Sequence, residues 1–162
     1  MTSLTSARSI RGYTKSDVPD EVALNAHAWV LSVKDRMLAR AWGLMTGESR
    51  ALVVGYWTAS NGHLLRDSYA LHAQSFDHAD FEAVMSDFCV GLTTDWGVAD
   101  LEQLGVAPTK YLDARRALVR LVIGVADAFV VDQDTPMPMI VVPMLCEEGE
   151  WRAHLPGTLW DF

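Results

Sequence analysis

Asp127 stands inside an apolar run, ALVRLVIGVADAFVV, from Ala117 to Val131. On an unbroken strand it shares a face with Val119, Leu121, Ile123, Val125, Phe129 and Val131. A carboxyl in such a row loses water, its pKa rises, and it suits general acid or base work. The alternative is a bulge at Gly124, which flips the phase and turns Asp127 to solvent. His154 shares the mixed face of a C-terminal hairpin with Arg152, where it either lines a pocket or sits at a wet edge. Tyr56 lies in the helical half beside His27 and Asp35. Its phenol either donates to an oxyanion or is an ordinary core-edge hydroxyl. Asp127, Tyr56 and His154 are thus the candidate catalytic set. Trp57, Trp29 and His27 are the candidate ligand-binding set. The chain has six tryptophans, which either line a pocket for a flat apolar ligand or fill the core.

Other chemistries lack their signatures. His63, His72 and His78 do not make a metal pair at helical spacing with a supporting acid, so no metal site is expected. Ser60-Asn61-Gly62 is a turn and not a nucleophile elbow. No phosphate loop or dinucleotide fingerprint occurs, and no cofactor is expected.

The elements that must position these residues follow from pattern. Pro19 and the acids Asp17, Asp20 and Glu21 start a helix that carries Val22, Ala23, Ala26, Val30, Val33 and Met37 at helical spacing. Ser32 to Asp35 kinks or ends this helix, since Asp35 can cap a second one through Met37, Leu38, Ala41 and Trp42. A third fits Ser49 to Ser60, with Leu52, Val53, Tyr56 and Trp57 inward. The clearest helix holds Phe81, Val84, Met85, Phe88, Cys89 and Leu92, with Phe88 buried and Asp87 in water. Trp96 to Leu104 is a short strand or a loop, and Ala107-Pro108-Thr109 a break. After the long run to Val131 comes a hairpin, MIVVPMLCEEGEWRAHLP, turning at Glu148-Gly149. That turn sets Glu147 against Glu150, Cys146 against Trp151, Met144 against Ala153 and Val142 against Leu155. One face is then wholly apolar, and Trp151 is expected in the core. Helices first and antiparallel strands after them predict an α+β domain, with N-terminal helices packed on a bent antiparallel sheet.

The chain of 162 residues is half apolar and carries a net charge of −8. Its length suits one domain over 17–162, after a loose arm over 1–16. The charge disfavours nucleic acid and anionic membrane surfaces, and no run reaches the roughly 20 apolar residues of a membrane span. The N-terminus has no apolar signal core, and Cys89 and Cys146 both sit in apolar patterns, as reduced thiols of a cytoplasmic protein do.

The segment VKDRMLARAWGLMTGESR places Asp35, Ala41, Trp42, Leu44, Met45, Thr46 and Arg50 between the first helices, and Glu148, Gly149 and Trp151 close the last hairpin. In this arrangement, over roughly 20–156, the chain resembles the nuclear-transport-factor-like (cystatin-like) α+β cone. The resemblance implies a cone whose mouth or interior forms a pocket. It also implies a range of functions: ketosteroid isomerases, dehydratases, polyketide cyclases, non-catalytic ligand binders and transport adaptors. Fold alone does not choose among these. With no paired acid and base in the sequence, a non-catalytic small-molecule-binding or protein-interaction domain is expected. The alternative is a small isomerase or dehydratase using Asp127 or His154 with Tyr56. Val141, Pro143 and Leu145 on the outer hairpin face, with Leu159, Trp160 and Phe162, point to a homodimer through the open sheet face. An apolar small molecule is the other expected partner.

Overall fold

The computed structural model describes residues 20–61, 80–96, 104–123 and 139–155. Within these, four helices precede five strands. They are α1 (Glu21–Lys34), α2 (Leu38–Gly43), α3 (Gly47–Asn61), α4 (Phe81–Asp95), β1 (Leu104–Val106), β2 (Lys110–Tyr111), β3 (Arg116–Ile123), β4 (Met139–Glu147) and β5 (Glu150–Ala153). The strands form one antiparallel sheet in the order β1-β3-β4-β5, with β2 also paired to β3. The expected α+β class holds, with the helices packed on one face of a curled sheet. The arm over 1–16, the stretch 124–138 with Gly124 and Asp127, and the tail with Leu159, Trp160 and Phe162 lie outside the described residues.

The β4–β5 hairpin has the expected register. Glu147 faces Glu150, Cys146 faces Trp151, and Met144 faces Ala153. The turn residues Glu148 and Gly149 both have positive φ, 53° and 84°. That is the primed turn whose twist matches a right-twisted hairpin, and glycine takes its second position without strain. The strand ends at Ala153, short of the expected Val142–Leu155 pair, and the His154 N–H continues the same register to the Pro143 carbonyl at 2.8 Å. The Leu155 N–H, on the side away from β4, bonds the Ser49 hydroxyl at 2.7 Å.

β3 pairs with β4 over seven residues, from Arg116 opposite Leu145 to Val122 opposite Met139. Its alternation buries Ala117, Val119, Leu121 and Ile123 against Ile140, Val142 and Met144. Over this inner face lie α1, through Val22, Ala26, Val30 and Val33, and α4, through Phe81, Val84, Met85 and Cys89. Trp42 of α2 is fully buried and meets Phe81 edge-on, with ring centroids 5.4 Å apart. Trp151 and Phe88 are only half-buried at the rim of this core, not inside it. Trp151 lies at the sheet edge, where Tyr111 covers it edge-on at 6.0 Å. Asp87 is exposed but accepts the Trp57 indole N–H at 3.0 Å, so it links α3 to α4.

Two helix boundaries differ from expectation. Asp35 does not cap α2; it is the C-cap residue of α1. Arg36 enters the left-handed region at φ 54°. The Met37 N–H then bonds the Ser32 carbonyl and the Arg36 N–H the Val33 carbonyl, at 2.8 and 3.2 Å. This is a Schellman closure with arginine where glycine is usual. It reverses the chain and leaves Met37 at the N-cap of α2, 47 % exposed. Helix α3 starts at Gly47, two residues before the expected Ser49, because the Thr46 hydroxyl accepts the Ser49 N–H at 3.2 Å and caps it.

Candidate functional site

Among the described residues, one group of converging polar side chains joins the start of α3 to the end of β5. Thr46 and Ser49 are fully buried and His154 is half-buried. Thr46 Oγ1 lies 2.8 Å from Ser49 Oγ and 3.0 Å from His154 Nδ1. Ser49 Oγ also accepts the Leu155 N–H. One assignment satisfies every group. The Leu155 N–H donates to Ser49, the Ser49 hydroxyl to Thr46, and the Thr46 hydroxyl to Nδ1 of a neutral His154. The His154 Nε2–H then points toward Glu48, whose Oε2 is 3.9 Å away.

Backbone bonds brace the same junction. The Ala153 N–H reaches the Leu44 carbonyl at 2.7 Å and the Thr46 N–H the Ala153 carbonyl at 3.0 Å. Met45 thereby makes a parallel bridge to Ala153 and covers part of the β5 edge. Glu147 accepts the Gly47 N–H with both carboxylate oxygens, at 3.2 and 3.3 Å. An anion at a helix N-terminus is favourable there. Arg152 lies 3.6 Å from Glu147 and 2.7 Å from Glu150. Arg50 stacks over the Trp42 ring at 5.5 Å and donates to the Trp42 and Gly43 carbonyls. Burial and the positive charge of Arg152 lower the Arg50 pKa, against an opposing pull from Glu147.

These contacts decide what the Thr46–Ser49–His154 group can do. It has the residue types of a nucleophile–base pair, yet Ser49 has no exposed surface. Its hydroxyl already accepts a backbone N–H, and His154 Nδ1 is taken by Thr46 rather than by Ser49. No reacting atom can stand against both. The group is a clasp between helix and sheet.

The other expected site residues do not gather around it. Tyr56 is 68 % exposed on the outside of α3. The inward stripe of that helix is Arg50, Val53, Val54 and Trp57, which leaves Tyr56 about 100° away from Trp57. Arg50 on Trp42 and Trp57 on Asp87 fix this phase. Trp57 is half-buried at the α3–α4 contact. Trp29 is buried and meets Trp96 edge-on at 6.0 Å, as core packing between α1 and the end of α4. Its indole N–H and that of Trp42 have no hydrogen-bond partner among the described residues. His27 is half-buried on α1. Burial lowers its pKa, and a hydrogen bond to the Leu104 backbone works the other way. Asp127, the remaining member of the catalytic set, lies outside the described residues.

A second polar cluster carries no signal in the sequence. Asp20 caps α1 by accepting the Ala23 N–H at 2.9 Å. It also accepts the Thr109 hydroxyl at 2.9 Å and the Tyr111 hydroxyl at 2.6 Å. Partial burial works to raise the Asp20 pKa, but the bonds from Tyr111, Ala23 and Thr109 outweigh it and the net shift is downward. The same bond, with the charge of Asp20, pushes the Tyr111 pKa up to about 12. The cluster ties β2 to the start of α1.

The outer face of the sheet is less covered. Val141 is 51 % exposed, and Leu118, Pro143 and Leu145 are half-buried beside it. Lys110, Arg116, Arg120 and Arg152 share this face by register. At its hairpin end a shallow depression of about 540 Å³ is lined by Asp113, Ala114, Arg115, Arg116 and Leu145. Arg116 is paired with Asp113 at 2.7 Å. The Arg120 Nε atom is buried without a hydrogen-bond partner among the described residues.

Among the described residues no three His, Cys, Asp or Glu side chains converge as a metal site, and no helix is long and apolar enough to cross a membrane. Comparison of the chain with protein-family models, with curated proteins and with solved structures gives no match.

Proposed function

We propose that this chain is a non-catalytic binding or interaction module of the nuclear-transport-factor-like kind, working through the outer face of its sheet. One observation carries the reading. Among the described residues, His154 and Tyr56 of the candidate catalytic set are spent on the fold or turned away from it, while the outer face leaves Val141 exposed. His154 is held by Thr46, and Tyr56 points to solvent. Val141 is 51 % exposed in the middle of a nine-residue strand, beside Pro143 and Leu145. An exposed apolar side chain continuous with half-buried apolar neighbours fits an interaction surface better than a catalytic one. The free thiols Cys89 and Cys146 fit a cytoplasmic setting.

A two-fold homodimer through that face is a second reading. It is favoured by the presence of both Arg152 and the acids Glu147 and Glu150 on one surface, which allows a patch to meet its own copy.

Native mass spectrometry of protein purified from its source tests the proposal. A co-purifying species, whether protein, small molecule or second copy, should be lost in Val141→Lys and kept in Tyr56→Phe and His154→Asn. If the bound species is a small molecule that Val141→Lys retains and the other two release, the pocket-enzyme alternative replaces this one.

A further inference from the structure

We infer that the clasp between α3 and the end of β5 is pH-sensitive, closed while His154 is neutral and opened when His154 takes a second ring proton. The donors and acceptors of the clasp set this behaviour. Ser49 Oγ accepts the Leu155 N–H at 2.7 Å. Thr46 Oγ1 accepts the Ser49 N–H at 3.2 Å and lies 2.8 Å from Ser49 Oγ. His154 Nδ1 is 3.0 Å from the same Thr46 oxygen. A hydroxyl has one proton to give and two lone pairs. In the closed clasp the Ser49 N–H and the Ser49 hydroxyl fill both lone pairs of Thr46. The one proton of Thr46 then goes to Nδ1, which must be bare to receive it. Among the described residues, neither hydroxyl has a further acceptor.

A second ring proton lands on Nδ1 and turns it from acceptor to donor. Nδ1–H and the Thr46 hydroxyl then aim protons at each other. Reversing the relay does not repair this. Thr46 would turn its proton to Ser49 Oγ and accept from Nδ1–H. The Ser49 hydroxyl proton would then have no acceptor, on a side chain with no exposed surface. A buried donor without a partner is costly. The route left is for the imidazolium to swing away from Thr46, since the His154 side chain is partly open to solvent. That breaks the side-chain bond between α3 and residue 154. The backbone bonds of Ala153 to Leu44 and Thr46 do not involve the ring. The opening is therefore local, at residues 154–155 and the first turn of α3, while the sheet stays paired.

The charges around the ring do not keep the clasp shut. On α3, Glu48 Oε2 stands 3.9 Å from His154 Nε2 on an exposed side chain. An ion pair there adds little, and it draws the imidazolium outward, away from Thr46. Arg50 of α3 lies near Arg152 and Glu147. Arg152 shares the His154 face of β5 by strand alternation. Glu147 and Glu150 are 3.6 and 2.7 Å from Arg152, so these two carboxylates answer it within the hairpin. Histidine is the side chain whose charge changes between about pH 5 and 8. The Thr46–His154 bond is thus present above that range and lost as pH falls through it.

Nuclear magnetic resonance of the ¹⁵N-labelled protein tests this at about pH 7.5 and about pH 5.5, on either side of ordinary histidine titration. At the higher pH the ring nitrogen shifts of His154 should report the tautomer with the proton on Nε2. At the lower pH the amide-exchange protection of Leu155 and Ser49, corrected for intrinsic rates, should fall about fivefold, as for the loss of one ordinary hydrogen bond. The protection of Val119 in β3 should hold. His154→Gln should show no such fall, and Glu48→Gln should keep it. A proton on Nδ1 at the higher pH overturns the inference, and that readout needs no variant to fold. Protection of Leu155 and Ser49 that is unchanged or higher at the lower pH also overturns it. So does a fall that persists in His154→Gln or vanishes in Glu48→Gln.

Discussion

Thr46→Val is the sharpest test of whether the Thr46–Ser49–His154 group is a clasp or a reactive site. Thr46 has no exposed surface, so the isosteric change adds no solvent and opens no cavity. It removes the cap on the Ser49 N–H, worth about 1 kcal/mol. It also strips a partner from the Ser49 hydroxyl and from His154 Nδ1, and a buried polar group left without a partner costs about 1–3 kcal/mol. Water can reach the half-buried His154, so the contributions do not add in full. The expected loss is about 2–4 kcal/mol. For a chain of this size each kcal/mol moves the thermal midpoint by about 2–4 °C, so Tm should fall by roughly 10 °C. Urea unfolding measures the free energy directly, with the slope checked for constancy. Thr46→Ser keeps the hydroxyl and should stay within about 1 kcal/mol of wild type. The double variant Thr46→Val/His154→Leu should be less destabilised than the sum of the singles by about 1 kcal/mol, since the two side chains share one bond. A loss for Thr46→Val under about 0.5 kcal/mol, or full additivity with His154→Leu, would refute the clasp and return His154 to the candidate catalytic residues.

Three further predictions follow from the fold. Tyr111→Phe should free the β2 end from Asp20, shift the Asp20 carboxyl back up toward its ordinary value, and remove a pH dependence. The bond to Asp20 keeps Tyr111 protonated up to a pKa of about 12, against an ordinary value of about 10. This stabilisation is therefore present below pH 10 and is lost between 10 and 12 in wild type only. The Asp20 shift is downward, so its stabilisation is present above the unfolded pKa and is lost as pH falls through the folded one; a pH series of urea midpoints reads both. Arg36→Gly should stabilise the protein by up to about 1 kcal/mol, because glycine takes φ 54° without strain; a loss of stability in urea would mean the Schellman turn is not formed. Met85→Ala, at a fully buried position under the sheet, should cost about 2–5 kcal/mol in the same assay, and Trp151→Ala, only half-buried, should cost less than Met85→Ala; the reverse order would place Trp151 in the core after all.

The parts of this fold legible in the sequence were those governed by local period and turn chemistry. The Glu148-Gly149 pair specified the hairpin because φ is positive at both positions, and one turn fixes the register of every pair beside it. The α4 face was legible because Phe81, Val84, Met85 and Cys89 keep helical spacing without interruption. The end of α1 near Asp35 was legible, but Arg36 hid how the helix closes, since the usual sign of a left-handed closure is glycine. Thr46 could have been read as a cap from its place before Gly47 and Glu48. Periodicity without that cap starts α3 at Ser49 and turns Tyr56 inward. The clasp itself was not legible, because Thr46 and His154 are 108 positions apart and no local pattern pairs them. The same holds for Asp20 and Tyr111, 91 positions apart.

The central claim is that the outer sheet face, and not an acid–base site, is where this protein works. Sedimentation velocity of fluorescently labelled protein in a clarified extract of its source cells tests it most directly. Wild type, Tyr56→Phe and His154→Asn should share a faster-sedimenting boundary, and Val141→Lys, shown by circular dichroism to be folded, should lose it. A Val141→Lys profile identical to wild type, or loss of the boundary in Tyr56→Phe or His154→Asn alone, would contradict the account.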